Sequence, residues 1–391
     1  MTFLPMDIIY FDNSATTRVS EAALDAAERA LRCDWGNPSS VHGKGIEAER
    51  LVSAARAGIV KALGVKNPRS GRLIFTGSGT EADNLAISGS IYGKKYRFRP
   101  RIVTTDSEHP AVTSTVNFAE AHGFEVIRLS TKGGIIDDEE LYSALTPETV
   151  LVSVMRVNNE TGAVYDVGKI FSLAKQRCPE AVTHCDAVQG FLKLNCAPSK
   201  LNADLVTVSG HKIGAPKGIG ALWCSEELIF HKRLKPVIFG GGQEDGLRSG
   251  TENVCGIAGM GAAAEERAQN MSSDRETVTA LRERLISALP DGVSVNQPLG
   301  EYLQNIVSLH VPGIKSEVLV RHMSANGVCI SAGSACSSKK LKTSPVLSSF
   351  GLDPTRADST VRISFSHENT LPEVDTFISL LKEAMGKLCR K

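Results

Sequence analysis

The chain has 391 residues, 42% of them apolar and 22% charged, with a formal net charge of +1. That length supports one large and one small domain, each with a core of its own. The near-neutral balance excludes the charge pattern of a nucleic-acid or anionic-membrane binder, and no apolar run approaches a membrane span.

The N-terminal stretch 1–11 is apolar, but it holds Asp7 and no basic run. It does not read as a signal peptide. Helical spacing of apolar residues, with Ala, Glu, Arg and Leu between them, predicts helices at 22–31 and 45–63. Short apolar runs then alternate with helical ones. Strands are predicted at 73–76, 101–105, 124–129, 150–157, 181–185, 205–208 and 220–224, and helices at 81–92, 111–122, 139–145 and 167–177. Strands that are apolar throughout and separated by helices imply a mostly parallel sheet covered on both faces. Ligands of such sheets bind beyond the carboxyl ends of the strands. That edge is where Gly77, His109, Asn159, Asp186 and Lys212 are expected.

From about Gly256 the pattern changes. A long helix is predicted at 261–289, followed by strands near Ser294 and at 305–311, 329–331 and 360–365, with helices at 316–325 and 371–388. Thr370 followed by Glu373 predicts a capping box at the start of the last helix. The expected division is a large domain, 14–257, and a small α+β domain made of 1–13 and 258–391. Nine cysteines are scattered without CxxC spacing, which favours a reducing cytoplasm over a disulfide framework or a zinc site.

Three strand-to-loop junctions carry chemistry. Gly77-Ser78-Gly79-Thr80 joins a strand to a helix start, where backbone N–H groups and the helix dipole bind phosphate. Asp186 stands at the end of the run Thr183-His184-Cys185. Lys212, in Ser209-Gly210-His211-Lys212, opens a Gly/Pro-rich loop, and a lysine so placed can lose its proton and form a Schiff base with a carbonyl. A lone lysine is usually a solvated side chain, and a Gly-rich turn alone is usually an ordinary loop. Together, in this order, they supply what pyridoxal phosphate requires: a phosphate cradle, a carboxylate beside the ring nitrogen and an amine for the aldehyde. Two further residues break their local pattern. Arg362 interrupts an apolar strand, a costly placement unless it is paired, and a substrate carboxylate is the expected partner. Cys336 lies in the small-residue stretch Ser331-Ala332-Gly333-Ser334-Ala335-Cys336-Ser337-Ser338-Lys339-Lys340. It has few apolar neighbours to bury it, and two lysines downstream favour its thiolate. The other cysteines mostly sit in apolar or helical surroundings, where a thiol is inert.

These residues carry a resemblance. Tyr10-Phe11-Asp12-Asn13-Ser14-Ala15-Thr16-Thr17, Gly36-Asn37-Pro38-Ser39-Ser40, Gly79-Thr80-Glu81-Ala82-Asp83-Asn84, Glu108-His109, Val157-Asn158-Asn159-Glu160-Thr161-Gly162, Asp186-Ala187-Val188-Gln189, Ser209-Gly210-His211-Lys212, Arg248-Ser249-Gly250-Thr251 and Ser334-Ala335-Cys336 match, in order, cysteine desulfurases of the NifS/IscS type, in the class V aminotransferase branch of pyridoxal-phosphate enzymes. The resemblance spans nearly the whole chain. It implies the α/β fold of pyridoxal-phosphate-dependent transferases, aspartate aminotransferase-like, with a seven-stranded sheet. It also implies roles. Lys212 would attach the cofactor, His109 would stack on its ring and move protons, and Asp186 would hold the ring nitrogen. Asn159 and Gln189 would bond its phenolic oxygen. Gly79, Thr80, Ser209 and His211 would bind its phosphate. A plain helix cap is the ordinary role for Thr80, and both roles can hold at once. Thr251 would reach the phosphate in the other subunit of a homodimer. Arg362, helped by Asn37, would bind the substrate carboxylate.

The implied reaction converts L-cysteine to L-alanine. Cys336 takes the sulfur as a persulfide and passes it to an acceptor, such as an iron–sulfur scaffold or a thiolation enzyme. No metal site is expected, although Cys336 is a candidate iron–sulfur ligand. Two alternatives stand beside this one. A selenocysteine lyase or another β-lyase would use the same cofactor residues, and a sulfur-carrying or scaffold paralogue would lack turnover. The sequence departs from the family at Arg18, where a proline is usual. Housekeeping members also carry a tail after the last helix that docks the scaffold; here Lys391 follows that helix directly, which counts against the scaffold as the partner.

Overall fold

The computed structural model describes residues 8–333 and 344–388. Cys336 and the stretch around it lie outside the described residues.

Seven strands form the central sheet: β2 (Gly71–Thr76), β3 (Arg101–Thr105), β4 (Glu125–Leu129), β5 (Thr149–Met155), β6 (Val182–Asp186), β7 (Leu205–Ser209) and β8 (Gly220–Ser225). Their spatial order is β2-β8-β7-β6-β5-β3-β4. All run in one direction except β8, which lies antiparallel between β2 and β7. Every residue of β6 and β7 is buried. Such strands have helices on both faces, which explains the lack of polar alternation in their sequences. The helix Gly79–Ile91 packs on one face, its Leu85 and Ile87 in one cluster with Leu205 and Leu222 of the sheet. The other face packs Val152, Val154, Val206 and Val208 against the helices Val167–Arg177 and Val254–Ser287.

A second core surrounds a four-stranded antiparallel sheet, ordered β12 (Ser331–Ala332), β13 (Thr360–Ser364), β10 (Ile306–His310) and β9 (Ser294–Val295). The N-terminal segment joins this core. β1 (Ile9–Tyr10) pairs in parallel with β11 (Val328–Cys329), and Phe11 meets Phe365 and Phe377 edge-on at 5.1 and 6.1 Å. In the last helix, Leu371–Leu388, the capping box forms as expected: Thr370 N–H donates to Glu373 Oε2 at 2.7 Å, and Glu373 N–H to Thr370 Oγ1 at 3.4 Å.

Three expectations are corrected. The stretch 329–331 is not one strand. The chain leaves β11 at Cys329 and joins a different sheet as β12 at Ser331, a switch too short to leave any period in the sequence. The long helix begins at Val254, not 261, because Asn253 caps it by accepting from Gly256 N–H. It runs without a break past position 257. Its first half is buried with Ile257, Met260 and Ala264 against the large sheet, its second half with Val278, Leu281 and Leu285 in the second core. Finally, the helix after β2 is capped by Ser78, whose Oγ accepts from Glu81 N–H at 3.1 Å. Thr80 therefore lies inside the first turn and does not cap it.

Candidate active site

The common direction of six strands puts their carboxyl ends on one edge of the sheet. β6 ends on Asp186, and β7 on Ser209, from which a single tight turn, Gly210–Lys212, presents Lys212. β2 ends at Thr76, directly before the Gly77-Ser78-Gly79 turn and the N-terminus of the helix Gly79–Ile91. His109 caps the helix Pro110–Ala121, its Nδ1 accepting from Ala111 N–H at 3.1 Å. That bond leaves the proton of the neutral imidazole on Nε2.

The N-terminal segment closes this edge. Ser14 carbonyl accepts from Gln189 Nε2 at 2.9 Å and from Lys212 Nζ at 2.5 Å, and Ala15 carbonyl accepts from Lys212 at 2.8 Å. Thr16 Oγ1 lies 3.2 Å from His211 Nδ1. Asp12 pairs with Arg362, Oδ1 to Nη2, at 2.7 Å, and Arg362 Nη1 also donates to Asn159 carbonyl at 3.0 Å. The buried arginine thus has an in-chain partner that the sequence did not supply. Its Nε is buried with no hydrogen bond among the described residues.

Electrostatics follow from this burial. Asp186 is buried. Burial pushes its carboxyl up, while His109, the Val188 N–H (2.9 Å) and Lys212 favour the anion. Burial pushes the His109 imidazole down, opposed by Asp186, and pushes His211 down to about 4, with Lys212 adding to the effect.

Asn37 and Thr251 stand apart. Both are exposed, and no hydrogen bond among the described residues joins them to the cluster. Asn37 Oδ1 instead accepts from Ser39 N–H. Thr80 is exposed at the helix start, and Gly79 is buried beneath it.

Several residues around the site escaped sequence reasoning. Glu81 accepts from Gly77 N–H at 2.8 Å and pairs with Arg248 at 2.7 Å, tying the glycine turn to the segment that carries Thr251. Both residues stand inside quoted motifs, but nothing in their spacing joins positions 167 residues apart. Lys193 donates to the carbonyls of Gln189 (3.3 Å) and Lys212 (3.5 Å), and burial pushes it down to about 8. Below Asp186, His184 bonds Ser153 Oγ and Thr207 Oγ1, and burial holds it neutral, down to about 3.

Glu108 accepts from Thr105 Oγ1 and Met155 N–H on one oxygen, and its other oxygen has no partner among the described residues. Burial pushes it from 4.5 up to about 8. The folded state therefore holds this proton more tightly than the unfolded chain. The stability it contributes is full below about 4.5 and is lost as pH rises through about 8. Glu108→Gln is expected to flatten the fall in Tm between pH 5 and 9, measured by thermal melts. Equal slopes for variant and wild type would count against this proton.

The family model for aminotransferase class-V matches residues 9–377.

The chain belongs to the class-V aminotransferase family.

Among relatives, a cysteine desulfurase of Trichormus azollae is 37% identical over 388 residues, covering 98% of this chain and 94% of that protein. A solved NifS-like protein superposes with a TM-score of 0.89 at 34% identity, covering 97% of this chain and 99% of the other. The structure of SspA in complex with cysteine superposes with a TM-score of 0.81 at 31% identity, covering 93% and 100%. The fold is therefore the α/β class-V architecture that the motifs implied. No group of three or more His, Cys, Asp or Glu side chains suited to a metal ion occurs among the described residues. No described helix is long and apolar enough to cross a membrane.

Proposed function

We propose that the protein is a cysteine desulfurase that uses pyridoxal phosphate, converts L-cysteine to L-alanine and delivers the sulfur through a persulfide on Cys336. The observation that carries this is the meeting of Lys212, Asp186, His109 and the Gly77–Gly79 turn on one edge of one sheet.

The residues present fit the cofactor. A side chain at Gly79 would come within 3.1 Å of Val188 Cγ2 and 3.2 Å of Ser209 Cβ, so the glycine keeps open a cradle at the helix N-terminus, where phosphate binds. Asp186 is a buried carboxylate whose charge a pyridinium would neutralise. Lys212 supplies the amine, Ser209 and His211 flank the cradle, and Asn159 and Gln189 are assigned to the phenolic oxygen. When bound, pyridoxal phosphate supplies an electron sink for charge developing at the substrate Cα.

The chain's own residues do the rest. Arg362 binds the substrate carboxylate with its remaining donor capacity, and Asn37 assists. His109 and Lys212 hold and move the proton at Cα. The Cys336 thiolate then attacks the substrate sulfur. An S–S bond forms, the Cβ–S bond breaks with its electron pair going to carbon, and carbon takes a proton to give L-alanine. The persulfide passes to an acceptor thiol protein, of the kind that serves iron–sulfur assembly or thiolation. Thr251 is exposed, as a residue serving a second subunit's site must be, and we assign the protein as a cytoplasmic homodimer. SspA, a structural neighbour, was solved with cysteine bound, in keeping with L-cysteine as substrate.

The test is product analysis. Purified protein loaded with cofactor, given L-cysteine and a thiol reductant, is expected to release alanine and sulfide in equal amounts. Pyruvate and ammonia in place of alanine would instead identify a β-lyase.

A further inference from the structure

Glu160 is buried at 8% exposure, yet none of the steps above uses it. It projects from a turn that is pinned on every side. Asn158 Oδ1 accepts from the N–H groups of Glu160 and Thr161, both at 2.9 Å, and Asn158 Nδ2 donates to Ser107 carbonyl at 3.1 Å. The next residue but one, Gly162, has φ +76°, and a side chain there would meet Ile306 carbonyl at 3.0 Å. The carbonyl of the residue before Glu160, Asn159, accepts from Arg362. A side chain on such a turn has little freedom.

The Glu160 carboxylate points at two residues that are far from it in sequence but share one property. Ser344 Oγ donates to Glu160 Oε2 at 2.7 Å, and also accepts from Leu347 N–H to cap the helix Pro345–Ser349. Gly333 packs against the same oxygen: a Cβ there would lie 3.0 Å from Glu160 Oε2 and 2.8 Å from Leu347 Cδ1. Gly333 lies three residues before Cys336, and Ser344 eight residues after it.

We propose that Glu160 is a positioning residue for Cys336: its buried carboxyl fixes Ser344 at the downstream root of the cysteine-bearing stretch and packs on Gly333 at the upstream root. The site's own turn thereby sets the two points from which the thiol is delivered. This rests on Cys336 being the sulfur acceptor. Burial pushes the Glu160 carboxyl up to about 7, opposed by Ser344 and Arg362. Charged or neutral, it retains an oxygen that accepts from Ser344, so the anchor persists across neutral pH.

The experiment compares wild type, Glu160→Ala, Glu160→Gln and Ser344→Ala, all as full-length protein loaded with cofactor. Persulfide on Cys336 is timed by mass spectrometry in a single turnover with L-cysteine, alongside KM, visible absorption and Tm. Alkylation of Cys336 by iodoacetamide is timed without substrate. Glu160→Ala and Ser344→Ala are expected to slow persulfide formation about tenfold, with KM and absorption unchanged, and to raise the alkylation rate at least threefold. Glu160→Gln, which keeps an acceptor for Ser344, is expected to restore both rates to within about twofold of wild type. Wild-type rates in Glu160→Ala, or no recovery in Glu160→Gln, would overturn the proposal. If wild type forms no persulfide while the alkylation contrast persists, the anchor stands and the role of Cys336 as sulfur acceptor fails.

Discussion

Lys212→Ala is expected to lose turnover by on the order of 10⁴-fold or more, while the protein still binds pyridoxal phosphate without a covalent link. The lysine leaves a single 3₁₀ turn after β7, so its backbone is fixed by the sheet, and its ammonium reaches the carbonyls of Ser14 and Ala15. Removing it deletes the amine for the cofactor aldehyde and one proton carrier at Cα. The cradle at Gly79, the Asp186 carboxylate and the Ser209 and His211 flank are left in place, so cofactor affinity is expected to fall without vanishing. Borohydride reduction of the loaded wild type, followed by peptide mapping, is expected to mark Lys212. A mark on Lys217 or Lys61 would sink the assignment. Lys193 is a sharper control than either. It lies beside Lys212, and burial brings it to about 8, so its amine is readily deprotonated. A mark there would reassign the attachment site within the same edge of the sheet.

Cys336→Ala is expected to separate the chemistry at Cα from the transfer of sulfur. The substitution leaves Lys212, Asp186, His109 and Arg362 intact, so cofactor binding and the spectral change on adding L-cysteine are expected to persist. Alanine release from L-cysteine is expected to drop on the order of 10³-fold or more, since no nucleophile remains to take the sulfur. L-selenocysteine gives a different outcome. Selenium can leave carbon without a thiol acceptor, and the variant is expected to retain part of that activity. Undiminished alanine production from L-cysteine would overturn the mechanism. Full loss on both substrates would point to a second role for the thiol in holding the site together.

Much of this arrangement was legible in the sequence because it depends on strand ends. An apolar run that stops at a polar residue marks the edge of a parallel sheet, and Asp186, Ser209 and Lys212 all announce themselves that way. The order of the motifs then restricts the chemistry more than any one of them does. What stayed hidden depends on pairing across the chain. Asp12 and Arg362 are 350 residues apart, and nothing local in either residue names the other. The split of 329–331 between two sheets was equally invisible, since two-residue strands carry no period. Ser78 carries no separate signal as the cap, since the glycines on either side mark the turn only as a whole. Glu108 and Glu160 read as ordinary polar residues within motifs. Only burial sets them apart, and burial of a carboxylate cannot be seen in a sequence where neighbouring residues are small and mixed.

The stitching of the N-terminal segment has a consequence for synthesis. Ile9 and Tyr10 pair with residues 328–329, Ser14 N–H donates to Ser364 Oγ, and Asp12 waits for Arg362. These residues therefore leave the ribosome long before the partners they pair with. The large sheet can assemble while translation continues, since all its strands lie before residue 226, and the bonds from Ser14, Ala15 and Thr16 to Gln189, Lys212 and His211 can form with it, but the pairing of Ile9 and Tyr10 and the bond from Asp12 wait for residues 328–362. Contacts of this sequence separation form late, because the loop they close is so long. Pairing segments this far apart beside the reactive amine ties competence to the synthesis of both: a nascent chain stopped short of residue 362 would carry Lys212 and Asp186 in place but leave Asp12 without its arginine.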